Sequence, residues 1–119
     1  MDKILYEVID DITVIHFHGD TSYDKVKCLI DDLVAKNIYA KRIYDLTAAD
    51  FDWSLKDLQS MGAYGQSVMK GPNIAAFVAT SDLIYGELRQ FEAFREDSLT
   101  TLKVFRQFDH ALAWLKDQK

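Results

Sequence analysis

The sequence predicts an α/β fold: a mixed, mostly parallel five-stranded sheet with four helices, in the order β-β-α-β-α-β-α-β-α. Three observations carry this. From Asn73 to Leu115 the chain reads strand, helix, strand, helix with almost no residues in between. Strands that alternate with helices return in the same direction and pair in parallel. The first two strand-like runs, by contrast, are joined by Asp10-Asp11 alone, which makes them an antiparallel hairpin.

The hairpin strands are Ile4–Ile9 and Ile12–His18. In the second, Val14, His16 and His18 share one face while Ile15 and Phe17 share the other. Gly19-Asp20 ends it, and Thr21-Ser22-Tyr23-Asp24 has the form of a capping box with Thr21 as the cap. The helix that follows carries Tyr23, Val26, Ile30, Leu33 and Val34 as a core stripe, and Asn37 suits a left-handed stop. Arg42–Leu46 is the third strand, and Thr47 to Trp53 reads as a loop. Ser54-Leu55-Lys56-Asp57 is a second capping box. Its helix sets Leu55, Leu58, Met61, Gly62, Gly65, Val68 and Met69 on one face, the glycines permitting close approach to the sheet. Gly71-Pro72 turns into the fourth strand, Asn73–Ala79. Thr80-Ser81-Asp82 starts a third helix that runs to about Glu96, Leu102–Phe105 is the fifth strand, and Asp109–Leu115 the fourth helix.

Bulk composition bounds the rest. At 119 residues, 49% hydrophobic and 28% charged, the chain suits one domain over residues 1–119, with a core that needs no staples. The net charge of −5 argues against a nucleic-acid partner, which requires a basic face, and against purely electrostatic attachment to anionic lipid. Cys28 is the only cysteine, so no internal disulfide forms. The broken apolar run Met1–Glu7 is no signal peptide, and no segment reaches membrane-spanning length, so the cytoplasm is the expected location.

Ser81-Asp82-Leu83 with Tyr85-Gly86, then Val104-Phe105-Arg106 running into Ala111-Leu112-Ala113-Trp114-Leu115, resembles the end of the small SpoIIAA-like proteins of the STAS superfamily. The resemblance covers nearly the whole chain. It implies βα units wound consecutively with the helices mostly on one sheet face. In the anti-sigma-factor antagonists of that family, a partner kinase phosphorylates a serine at the start of the helix that follows the third strand. The family's pattern there is Asp-Ser-Ser-Gly, and Asp52-Trp53-Ser54-Leu55 stands in its place here. Ser54 is thus the phosphorylation candidate, and a helix N-terminus suits a phosphate. As a helix cap alone, Ser54 is also fully accounted for. STAS domains are similar in fold to lipid-carrying CRAL-TRIO domains, which adds a lipid or other apolar small molecule to the expected ligands.

Other constellations are weaker. An acidic pair (Asp10-Asp11), Asp45, Thr80 and Lys103 mimic the parts of a phosphoryl-accepting receiver, but the pair runs straight into a strand and no proline follows Lys103. Asp45, Asp50 and Asp52 could meet a hard cation, and His16 with His18 could form a metal pair, yet no third ligand is evident. No cofactor motif occurs, no metal set is complete, and no catalytic residue is assigned. Cys28 lies opposite its helix's core stripe without a basic neighbour to activate it.

The third helix is less ordinary. Leu83, Phe94, Phe91, Ile84, Leu88 and Tyr85 spread over about 200° of its circumference at about 100° per residue, roughly twice what one sheet face needs. Glu87 divides that arc, so Ile84, Leu88 and Phe91 read as core, with Leu83 and Phe94 as a second patch. Phe51 and Trp53 are further bulky apolar residues outside any period. Together, Phe51, Trp53, Leu83, Tyr85, Glu87 and Phe94 form the expected recognition surface. The expected protein is a non-enzymatic binding or regulatory module. Its occupant would be an apolar small molecule or lipid, a peripheral membrane contact, a second copy, or a kinase-like partner acting through Ser54.

Overall fold

A computed structural model describes residues 3–50, 53–95 and 99–118; the side chains of Lys3, Asp20, Asp50, Leu55, Phe94 and Arg95 lie outside that description. Strands β1 (Lys3–Ile9) and β2 (Ile12–Asp20) form the expected hairpin, paired from Lys3↔His18 to Ile9↔Ile12. Asp10 and Asp11 both take positive φ, 48° and 69°, the backbone a two-residue turn needs to follow the strand twist. Then come α1 (Tyr23–Ala35), β3 (Lys41–Asp50), α2 (Leu55–Val68), β4 (Asn73–Val78), α3 (Asp82–Arg95), β5 (Thr100–Phe105) and α4 (Phe108–Lys116). The strands lie in their sequence order, β1-β2-β3-β4-β5, and every pairing after the hairpin is parallel.

Period-two alternation splits the sheet into two cores. Ile15 and Phe17 of β2, Tyr44 and Leu46 of β3, Ala75 and Phe77 of β4, and Leu102 and Val104 of β5 face three helices. Those helices contribute Val26, Leu29, Ile30 and Leu33 of α1, Leu58 and Met61 of α2, and Ile84, Leu88 and Phe91 of α3. The opposite face, with Ile12, Val14, Ile43, Ala76 and Val78, packs under Ala111 and Leu115 of α4. Helices thus sit mostly on one side.

Three local expectations are corrected. The segment from Thr47 is not a loop: β3 continues past Leu46 to Asp50, because β2 also continues and the two backbones keep pairing at His18↔Ala48, Gly19↔Ala49 and Asp20↔Asp50. The pairing carries a register shift between His16 and His18. The cap of α1 is Ser22, whose hydroxyl accepts from the Lys25 amide at 3.4 Å, while the buried Thr21 donates its hydroxyl to the Gly19 carbonyl at 3.3 Å. Asp45, next to last in the predicted strand Arg42–Leu46, therefore lies mid-strand and not at the strand end that a receiver's central aspartate would occupy. Asn37, with φ of 56°, stops α1 as expected.

Candidate functional site

The parallel strands bring the starts of α2 and α3 to one end of the sheet, the end where α/β folds present functional groups. At α2, Ser54 is extended (φ −73°, ψ 164°) and its hydroxyl accepts from the Asp57 amide at 3.1 Å. In return, the Asp57 carboxylate accepts from the Ser54 amide at 3.2 Å. The reciprocal box is complete, and the Ser54 side chain stays exposed. Trp53, just before it, is half-buried; its indole donates to the Thr21 carbonyl at 2.7 Å and its ring lies 5.6 Å from that of Tyr23. Trp53 therefore locks the approach to α2 against the start of α1.

Beneath that wall lies a cavity of about 60 Å³ between the sheet and the three helices. Phe17, Tyr44, Phe77, Leu88, Trp53 and Gly65 are among its walls. Two polar residues enter the lining, Thr21 and Arg42. An engineered cavity that takes benzene measures about 150 Å³, so this one falls well short of a lipid chain. Arg42 went unremarked in the sequence, although the signal was there: it shares strand parity with Tyr44 and Leu46 and so belongs to the three-helix face.

The expected recognition surface is divided by the structure. Trp53 lines the cavity; Leu83, Tyr85 and Glu87 do not. Leu83 stands 68% exposed on the first turn of α3. Half-buried Tyr85 lies under the Arg106 guanidinium, 4.0 Å from its ring centre, and Arg106 is held by Asp82 at 2.7 Å and the Thr80 carbonyl at 3.2 Å. Glu87 is partly buried on α3. Phe51 and the Phe94 side chain lie outside the described residues.

On the α4 side, His16 Nδ1 meets the Asp45 carboxylate at 2.8 Å, His16 Nε2 is 3.8 Å from Glu7, and Phe108 stacks on the imidazole at 6.2 Å. Burial alone would push the Asp45 carboxyl up. The Thr47 hydroxyl (2.7 Å) and amide (3.1 Å), with His16, outweigh it and hold the carboxyl below its ordinary range. His18 is exposed, Asp52 lies outside the described residues, and among the described residues no three His, Cys, Asp or Glu side chains converge as a metal site. The receiver mimic fails on geometry. Asp10 and Asp11 sit in a turn at the start of β2, near Lys116 (3.7 Å to Asp10), at the opposite end of the sheet from Thr80. Exposed Lys103 spreads over Phe105 and Trp114.

Comparison with solved structures identifies the architecture. The chain is similar to an anti-sigma factor antagonist from Mycobacterium paratuberculosis, with 18% identity, a TM-score of 0.69, and coverage of 98% of this chain and 96% of that one. It is similar to an uncharacterised DUF3478-family protein with a SpoIIAA-like fold from Shewanella loihica PV-4, at 19% identity, TM-score 0.61 and coverage of 96% and 93%. The unphosphorylated anti-sigma factor antagonist SpoIIAA is similar at 11% identity, TM-score 0.61 and coverage of 98% and 100%. The chain has a SpoIIAA-like fold. No family model matches it, and no curated protein sequence does. No helix among the described residues is long and apolar enough to cross a membrane.

Proposed function

We propose that this chain is a non-enzymatic, cytoplasmic regulatory domain of the anti-sigma-factor-antagonist kind, which docks a protein partner at the start of α2. The observation that carries the reading is Ser54: an exposed hydroxyl at a helix N-terminus, in a fold that two of the similar structures share as anti-sigma factor antagonists. A kinase-like partner can reach this hydroxyl without unfolding anything. Phosphate would gain from the free amides and the positive end of the helix dipole. It would also place a double negative charge against the Asp57 carboxylate that now accepts from the Ser54 amide, breaking the return half of the box. That is a local change confined to the docking end, as a switch requires. Exposed Leu83, at the same end on the neighbouring helix, supplies apolar area for the contact, or for self-association.

The test is capture of partners from a lysate of the source organism by three baits: the natural chain, Ser54→Ala and Ser54→Asp. Phosphopeptide mapping of the natural chain accompanies it. The Asp bait is expected to lose a kinase-like partner that the other two retain. Identical capture by all three baits, with Ser54 unmodified, overturns the switch.

A further inference from the structure

We infer that the outer edge of β1 is a self-association surface, on which a second copy of this chain lays its own β1 antiparallel across a two-fold axis at Leu5. Nothing in this depends on the reading given to Ser54. Among the described residues β1 is an outermost strand, paired with β2 alone. Its pairing runs without a shift of register and it contains no proline, so neither a bulge nor a missing donor blunts the edge. The opposite edge, β5, is flanked by α3 and α4. Because α4 packs on β3, β4 and β5, the β1 end of that sheet face stays open. Leu5 is 48% exposed there, and Val8 is 56% exposed on the other face of the strand.

The register follows from the backbone. Ile9 and Ile12 flank a two-residue turn and so exchange both of their hydrogen bonds. Alternation along the strand then commits Glu7 and Leu5 to β2 and turns the amides and carbonyls of Ile4, Tyr6 and Val8 outward. The edge is also held in place before any partner arrives, since the Tyr6 hydroxyl donates to Asp32 of α1 at 2.9 Å. Among two-fold axes near the middle of the strand, one at Glu7 sets two carboxylates opposite each other, and one at Tyr6 sets Glu7 against Leu5. An axis at Leu5 sets Leu5 against Leu5, Ile4 against Tyr6, and Glu7 in register with Lys3. Ile4 and Tyr6 then exchange the backbone bonds between copies. The Leu5 pair takes the closer, non-hydrogen-bonded spacing, with Cα atoms about 4.5 Å apart. Residues of opposite charge meet on both sides of the axis. The edge is thus complementary to itself in this register, which selects a second copy as the occupant over an unrelated strand. The axis stands perpendicular to the sheet, so α4 of both copies lies on the same side and the two five-stranded sheets become continuous.

The test is sedimentation velocity of the full chain from about 5 μM to about 1 mM, a span chosen because so short an edge buries little area and should dissociate on the order of 10–100 μM. Glu7→Lys and Lys3→Glu are each expected to weaken the dimer about tenfold, because each sets like charges opposite one another on both sides of the axis. An equimolar mixture of the two variants is expected to restore it, since each then meets the opposite charge on the other. Hydrogen exchange on the natural chain supplies a second readout: the amides of Ile4 and Tyr6 gain protection as concentration rises. A natural chain that stays monomeric throughout, a dimer indifferent to both single variants, or a mixture no tighter than its components overturns the surface. Should either variant fail to fold by circular dichroism, the exchange measurement decides, and protection at Ile4 and Tyr6 that does not change with concentration overturns it.

Discussion

Replacing Ser54 separates its two roles, because capping and switching respond differently to alanine and aspartate. Ser54→Ala removes the acceptor for the Asp57 amide and leaves one of the four free donors of the first turn without its side-chain partner. Loss of such a cap costs about 0.5–2 kcal/mol. Both bonds of this box are exposed, so water replaces part of what is lost, and the lower half of that range, about 0.5–1 kcal/mol, is expected. With a urea slope of about 1.5 kcal/mol per molar, the midpoint falls by about 0.3–0.7 M while the slope stays unchanged. Ser54→Asp restores an N-cap acceptor and adds a charge at the favourable end of the helix dipole. It also faces Asp57 three residues on, so its midpoint is expected between those of Ala and the natural chain. Urea melts followed by circular dichroism read all three. An unchanged midpoint for Ser54→Ala would refute the energetic account of the box. An Asp variant less stable than Ala would show that repulsion by Asp57 outweighs the cap.

Two further perturbations follow from the structure. Thr47→Val removes the hydroxyl that donates to Asp45 at 2.7 Å, so the carboxyl moves back up toward its ordinary value of 3.8. A carboxyl held low in the folded state stabilises above its unfolded pKa and loses that contribution as pH falls through the folded one. The gap in melting temperature between the natural chain and Thr47→Val should therefore be present at pH 7 and shrink below about pH 4, and parallel curves would contradict it. Gly86 lies within α3, and a Cβ built there meets nothing within 4 Å. Gly86→Ala should then stabilise the fold by about 0.5–1 kcal/mol in a denaturant melt, and a loss of stability would show an unseen constraint at that position.

The elements legible in the sequence are those whose cause is local. Asp10-Asp11 forces its hairpin, Ser54-x-x-Asp57 caps its helix, and Ile84, Leu88 and Phe91 are buried at their helical spacing. The extension of β3 to Asp50 was not legible, because Thr47-Ala48-Ala49-Asp50 carries no alternation of its own. Its strand character comes from the backbone of β2, which the chain reaches only in three dimensions. Choosing between Thr21 and Ser22 as the cap of α1 likewise depended on which hydroxyl turned inward, and Thr21 is the buried one. The site was half legible. Ser54 could be placed from the capping pattern, whereas Trp53 stood outside any period. The separation of Leu83 from the cavity, and the presence of Arg42 within it, depend on how α2 and α3 pack on the sheet. The helical wheel showed that Leu83 was surplus to the core, but not what lay beside it.

The unequal covering of the sheet has a consequence for how the molecule comes apart. Three helices share the larger core, while a single nine-residue helix, α4, closes the other face over β3, β4 and β5. A helix of that length has little persistence in water away from its docking surface. Lifting it breaks only the contacts that Ala111, Leu115 and their neighbours make, and the hydrogen-bond ladder of the sheet is untouched. Amide protons of α4 thus have an escape route to solvent that those of β3 and β4 lack. Two tiers of protection against exchange are therefore expected, and the lower one belongs to the last helix.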